Sequence, residues 1–86
     1  MRNNKVNQIL KWKGQTVTIE LLNLEEAARR QSNRFERRGP GTVNECNQFY
    51  VTYKNELGNL ESAPLRRVEL SFDHAEKRLK LEIYPL

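Results

Sequence analysis

Hydrophobic and polar residues alternate in four parts of the chain, a period of two that is typical of strands with one buried face. These parts are residues 6–12, 16–21, 65–72 and 78–84. Gly14 lies between the first two and supplies the residue that a tight hairpin needs. The short link 73–77 joins the last two, so we expect them to form an antiparallel hairpin.

A longer period, near 3.6 residues, covers residues 23–38 and predicts one amphipathic helix. Asn23 is a good N-cap, and Glu26 stands three residues later, at the spacing of a capping box. Gly-Pro-Gly follows at residues 39–41. These three residues are predicted to end the helix, because proline cannot continue it and glycine accepts a left-handed cap.

Residues 42–57 fit both periods. A helix here would end at Gly58. A strand is favoured by Phe-Tyr-Val-Thr-Tyr at 49–53, because these residues are strong strand formers and poor helix formers. Residues 55–59 also have the composition of a hairpin turn. The strand is the preferred interpretation, and the helix is the alternative.

These elements predict one small globular α+β domain over residues 1–86. The predicted order is ββαβββ: a β-hairpin, one amphipathic helix packed on one face, then a three-stranded meander in an antiparallel sheet. If residues 42–57 are helical, the order becomes ββααββ. A domain of this size buries only about 60% of the surface of its unfolded chain. We therefore also expect a homodimer, because a second copy would bury more surface.

Composition sets the class of protein. The chain is 30% charged and 37% hydrophobic, which is ordinary for a globular protein. Cys46 is its single cysteine, which excludes an internal disulfide and suits a reducing compartment. The N-terminus lacks the apolar core of a signal peptide, and every apolar run is far shorter than the ~20 residues of a membrane helix. We expect a cytoplasmic protein without membrane contact.

The basic residues are the feature of the sequence that most specifically indicates a binding partner. The formal net charge is +4 and the pI is about 9.5, which favours encounter with nucleic acid or an acidic protein surface. Arginine suits phosphate because its planar fork donates two hydrogen bonds and stays charged. The predicted helix concentrates five arginines near its end: Arg29, Arg30, Arg34, Arg37 and Arg38. They predict contact with an acidic partner; the alternative is a solvated, salt-bridged helix face.

Lys11 and Lys13 flank Trp12, an arrangement that can hold a phosphate while the ring stacks on a base. Three tyrosines could extend such a platform: Tyr50, Tyr53 and Tyr84. The favoured alternative buries Trp12 in the core and leaves both lysines in solvent. Arg66 and Arg67 begin a strand, where they either add to a basic surface or protect a strand edge.

The remaining reactive residues do not form a catalytic pattern. His74 follows Asp73 in a predicted turn, where an exposed histidine is the simpler interpretation. Cys46 is interpreted as a small buried thiol. Residues 39–42 lack the spacing of a phosphate-binding loop. We therefore predict no catalytic, cofactor-binding or metal site, and do not expect an enzyme.

Two functional hypotheses follow. The first is a small basic binding module that contacts nucleic-acid backbone through the arginine-rich helix. The alternative is a small accessory or inhibitor protein that binds another protein through its sheet face or an edge strand. Salt should weaken the first kind of binding steeply and the second much less.

Overall fold

A computed structural model describes residues 4–22 and 35–84. Residues 23–34, which hold most of the predicted amphipathic helix, lie outside this range. The elements are α1 (Asn4–Leu10), β1 (Thr16–Leu22), β2 (Phe35–Cys46), β3 (Tyr50–Lys54), β4 (Leu60–Pro64), a 3₁₀ turn (Leu65–Arg67), β5 (Val68–Asp73) and β6 (Arg78–Ile83).

All six strands form one mixed sheet in the order β4-β3-β2-β1-β6-β5. Its neighbours are antiparallel except β1 and β6, which run parallel in the middle of the sheet. The predicted antiparallel ββαβββ fold with a packed amphipathic helix is therefore wrong, and so is its ββααββ alternative. Local periodicity identifies a strand but not its partner, and the long connection from β1 to β6 permits the parallel pair.

The predicted first strand, residues 6–12, is wrong. Asn4–Leu10 is a short helix in which Ile9 is fully buried. Val6 and Trp12 pack against the same core at a spacing of three residues on either side of Ile9, which suits a helix face. Leu10, which the strand pattern placed with them, is exposed. Gly14, at φ +77°, then turns the chain into β1 in place of the predicted hairpin.

Strand β2 contains the last four residues of the predicted helix and the Gly-Pro-Gly that was predicted to end it. The helix prediction is therefore wrong for residues 35–38. The backbone of Arg37 lies opposite Leu21 and that of Arg38 opposite Glu20. Pairing with β1 thus overrides the helical pattern of the local sequence.

Proline is accommodated in β2 by the geometry of the ladder. Val43 exchanges hydrogen bonds with the turn before β1, since its N–H donates to the Gln15 carbonyl oxygen at 3.2 Å. Counting back in steps of two, Pro40 lies at a position that does not hydrogen-bond to β1. Strand β3 begins to pair only at Thr42, so Pro40 costs the sheet no hydrogen bond.

Three predictions are confirmed in whole or in part. Residues 42–57 are not helical, and the strand interpretation is confirmed for residues 42–46, which end β2, and for Tyr50–Lys54, which is β3. Residues 55–59 make the turn after β3, with Gly58 at φ +84°. The final hairpin also forms, with β5 antiparallel to β6 and Asp73 opposite Arg78. Sequence patterning missed β4, and it extended β5 through the 3₁₀ turn.

The core lies on one face of the sheet, which we call the core face. Alternate residues from all six strands contribute to it, and α1 and the 3₁₀ turn add one buried residue each. The buried hydrophobic residues are Ile9, Val17, Ile19, Val43, Cys46, Val51, Tyr53, Ala63, Leu65, Val68, Leu79 and Leu81. Alternation then places the side chains between them on the opposite face, which we call the outer face.

Candidate binding surface

The residues predicted to contact an acidic partner do not share one described surface. Arg29, Arg30 and Arg34 lie outside the described residues. Arg37 and Arg38 lie in β2 and not on a helix, so the predicted helical stripe does not reach them. Lys11 and Lys13 are exposed in the turn after α1. The arginine-rich helix is therefore not the basis of the candidate site.

Trp12 packs against the core, as the favoured interpretation held. The aromatic platform that was considered around it does not form. Tyr53 is only 3% exposed on the core face, and Tyr84 is half-buried. Of the three tyrosines, Tyr50 alone is exposed, at 53%.

Large apolar side chains are instead exposed on the β3–β4 hairpin. Strand register places Tyr50 beside Pro64 and Lys54 beside Leu60 on the outer face. The exposed apolar residues of this hairpin and its two turns are Phe49 (63%), Tyr50 (53%), Leu57 (84%) and Leu60 (59%). We call these four residues the hairpin patch. Four large exposed apolar side chains on one hairpin are candidates for contact with a partner.

The turns that bound β3 hold the hairpin patch in place. The Asn47 Oδ1 atom accepts hydrogen bonds from the backbone N–H groups of Phe49 at 2.7 Å and Tyr50 at 2.8 Å. The Asn55 Oδ1 atom accepts from the N–H of Leu57 at 2.9 Å and from a second turn amide. Asparagine side chains often fix turns in this way. The exposed residues are therefore anchored through their own backbone.

Among the strands of residues 4–22 and 35–84, β4 is an edge of the sheet. Two bonds set the hydrogen-bonding phase of its ladder: the Asn55 N–H donates to the Asn59 carbonyl at 2.9 Å, and the Leu65 N–H donates to the Phe49 carbonyl at 2.8 Å. In an antiparallel ladder hydrogen-bonded pairs alternate with pairs that are not bonded. Leu60 and Ser62 therefore direct their backbone N–H and C=O groups away from β3, toward the open edge.

A basic depression lies beside the hairpin patch. It measures about 270 Å³ and is lined by Lys13, Gly14, Thr42, Val43, Asn44 and Lys54. The Nζ atom of Lys13 lies 2.8 Å from the Glu45 carboxylate. The hydrogen bond and positive charge of Lys13 hold the pKa of Glu45 below its ordinary value. Part of the positive charge of the depression is thus already neutralised.

A second polar cluster lies buried on the outer face between β1, β5 and β6. The Thr18 hydroxyl donates to the Asp73 carboxylate at 2.6 Å, and the Arg78 Nε–H donates to the Thr18 oxygen at 2.8 Å. Lys80 approaches Glu20 at 3.7 Å. Opposite charges are matched across three strands, which is the arrangement expected of a group that stabilises the sheet.

Cys46 and His74, which were considered for nucleophilic or acid–base chemistry, belong to neither the hairpin patch nor the basic depression. Cys46 is 8% exposed, and burial, with a smaller effect of the Glu45 charge, raises the pKa of its thiol. A raised pKa lowers the fraction of reactive thiolate. His74 is exposed, and its ring meets the edge of Phe72 with centroids 5.2 Å apart. Within residues 4–22 and 35–84, no three His, Cys, Asp or Glu side chains are grouped to hold a metal ion.

Sequence reasoning missed the hairpin patch, although two signals point to it. Leu57 is an apolar residue inside the turn-forming segment 55–59, and Leu60 directly follows that segment, where burial is hard to arrange. Phe49 and Tyr50 are adjacent, so a strand cannot direct both toward one core face.

Comparison with protein-family models, with curated proteins and with solved structures gives no match for this chain. In the part of the chain that the structure describes, every helix is too short or too polar to cross a membrane.

Proposed function

We propose that this chain is a small non-enzymatic binding module whose partner is another protein. The observation that supports the proposal is the hairpin patch, four large apolar side chains exposed around one edge hairpin. Aromatic and aliphatic anchors of this kind supply most of the energy at protein interfaces. The arginine-rich helix contributes nothing to this proposal.

The partner offers an extended segment that joins the sheet beside β4. Leu60 and Ser62 direct main-chain donors and acceptors outward, and an added strand would satisfy them. Pro64 has no N–H, so the bonding run ends there. The outer face from the Tyr50 row to the Leu60 row spans four residues, or about 13 Å. A segment of roughly five extended residues therefore covers it.

The segment is acidic as well as apolar. Lys54 lies next to Leu60 in the register, and the net charge of the whole chain is +4. An acidic side chain beside the apolar anchor would meet Lys54 at the rim of the contact. Such a rim charge mainly raises the rate of association.

Site-specific photocrosslinking tests this proposal. A photoreactive phenylalanine analogue replaces Ser62 at the centre of the β4 edge, and cells that express the chain are irradiated. We expect a discrete adduct with a different protein, and Leu60→Lys in the same chain should abolish it. The control places the analogue at Glu76, which is exposed in the β5–β6 turn. The proposal fails if position 62 gives no adduct, if Leu60→Lys leaves the adduct intact, or if position 76 gives the same adduct.

Nucleic-acid binding is the second candidate, and the basic depression favours it. Lys13 and Lys54 face one concavity, and Thr42 and Asn44 add groups that hydrogen-bond to phosphate oxygens. Exposed Tyr50 supplies one ring for stacking. An adduct from position 62 that nuclease treatment removes would support this candidate in place of a protein partner.

A further inference from the structure

We infer that β5 is a self-complementary edge along which two copies of this chain pair antiparallel, with Leu70 of each copy at the two-fold axis. This edge lies at the end of the sheet opposite β4. It is separate from the hairpin patch, so the dimer and the proposed function succeed or fail independently.

The hydrogen bonds of β5 leave its outer side open. The Tyr84 N–H donates to the Arg67 carbonyl at 2.9 Å, which sets the phase of the β5–β6 ladder. By alternation, Glu69 and Ser71 exchange bonds with β6. Leu70 and Phe72 therefore direct their N–H and C=O groups outward. Val68 directs its C=O group outward, while its N–H donates to the Leu65 carbonyl oxygen and closes the 3₁₀ turn. No other strand of the described chain covers this side.

Residues 68–73 carry one exposed charge, Glu69, but lack the other usual protections of an edge strand. Strands exposed at an edge normally carry lysine, proline or a bulge that prevents pairing with another chain. Residues 68–73 contain neither lysine nor proline, and their register with β6 is unbroken. Phe72 is 45% exposed and Leu70 is half-buried on the core face. A second copy would extend this apolar row.

Hydrogen bonding restricts the possible registers, because outward-facing residues must lie opposite outward-facing residues. Centring the pair on Leu70 places Val68 opposite Phe72 of the second copy, where the Phe72 N–H can donate to the Val68 carbonyl oxygen. The two Leu70 residues lie opposite each other at the axis and exchange two hydrogen bonds. The outward-facing N–H groups of Leu70 and Phe72 in each copy are then satisfied.

Charge selects this register over its neighbours. Centred on Leu70, Glu69 lies opposite the uncharged Ser71 of the second copy. A shift one way places Glu69 opposite Glu69, and a shift the other way places it opposite Asp73. Like charges directly opposite each other destabilise a strand pair. Symmetry about Leu70 is the reason to expect a second copy here and not an unrelated strand.

Sedimentation equilibrium of the full chain tests the dimer. At high micromolar concentration we expect twice the chain mass of 10.2 kDa. Phe72→Lys places a charge on the edge and should restore the monomer mass. Phe49→Lys is the matched control, since Phe49 is more exposed than Phe72 and directly precedes β3, near the opposite edge of the sheet. A wild-type chain that stays monomeric would overturn the inference, as would a Phe49→Lys variant that also dissociates.

Disulfide trapping tests the register. In a Cys46→Ala background, Glu69→Cys and Ser71→Cys chains are prepared separately and then mixed under mild oxidation. Opposed residues at such a position have Cα atoms about 4.5 Å apart, within reach of a disulfide. We expect a crosslink that joins the two variants, with little crosslinking in Glu69→Cys alone. Efficient crosslinking of Glu69→Cys with itself would contradict the Leu70-centred pair.

Discussion

Buried polar side chains in this protein are held in place by hydrogen bonds to specific partners. Thr18 is 1% exposed and Asp73 is 2% exposed, yet both lie within one chain of hydrogen bonds that also includes Arg78. A buried polar group is tolerated when its bonds are made, and these bonds join three strands. Alternation within β1 indicated that Thr18 faces away from the core. Its burial follows from pairing between distant strands, which local sequence does not reveal.

The ion pair of Lys13 and Glu45 gives a prediction at this scale. We expect Lys13→Ala to raise the pKa of Glu45 toward its ordinary value, because the hydrogen bond and charge that lower it are removed. A carboxyl group with a lowered pKa stabilises the fold above its unfolded pKa. This contribution is lost as pH falls through the folded pKa, and the Lys13→Ala chain should lack it.

Carboxyl-carbon NMR titration of Glu45 measures this change. Lys11→Ala serves as the control, because Lys11 is an exposed lysine of the same turn and does not contribute to the lowered pKa. An identical Glu45 titration in the wild-type and Lys13→Ala chains would show that the pair does not form.

At the scale of elements, β2 shows how pairing overrides composition. Its Gly-Pro-Gly has the chemistry of a helix stop, but here it lies within a strand, and Gly41 allows close packing. A Cβ atom on Gly41 would lie 2.8 Å from Ile19 Cγ1 and 3.1 Å from the Lys54 carbonyl oxygen. A Cβ atom on Gly39 would meet only the flexible end of Glu56.

These contacts predict different costs for two similar substitutions. Gly41→Ala should lower the free energy of unfolding by about 1–3 kcal/mol, because a buried side chain and a backbone atom must move. Gly39→Ala should change it by less than about 0.5 kcal/mol, since exposed Glu56 can turn away. Urea denaturation of both variants measures the difference. Equal costs for the two substitutions would contradict this account of β2.

The elements that sequence patterning predicts correctly are those decided by their own residues. Strands β1, β5 and β6 alternate cleanly, and the short link between β5 and β6 leaves one way to pair. The strand predicted over residues 6–12 is wrong because a segment of seven residues fits both the period of a strand and that of a helix. The helix prediction is wrong for residues 35–38 because it rested on the helical period of the local sequence, whereas pairing with β1 decides their structure.

At the scale of the whole molecule, the order of the strands in the sheet is the property that could not be predicted from the sequence. The parallel contact between β1 and β6 joins segments about sixty residues apart, and nothing local specifies it. That contact places β4 and β5 at the two edges. The positions of the hairpin patch and of the β5 edge follow from this order, so local sequence does not reveal them.

Amide hydrogen exchange of the isolated chain, measured by NMR along β4, tests the central claim most directly. If the β4 edge beside the hairpin patch is open, the protection of backbone N–H groups from exchange alternates from residue to residue along β4. We predict slow exchange at Glu61 and Ala63, whose N–H groups face β3, and fast exchange at Leu60 and Ser62, whose N–H groups face outward. Uniform protection along β4, or protection at Leu60 and Ser62, would show that another strand covers this edge and would contradict the account.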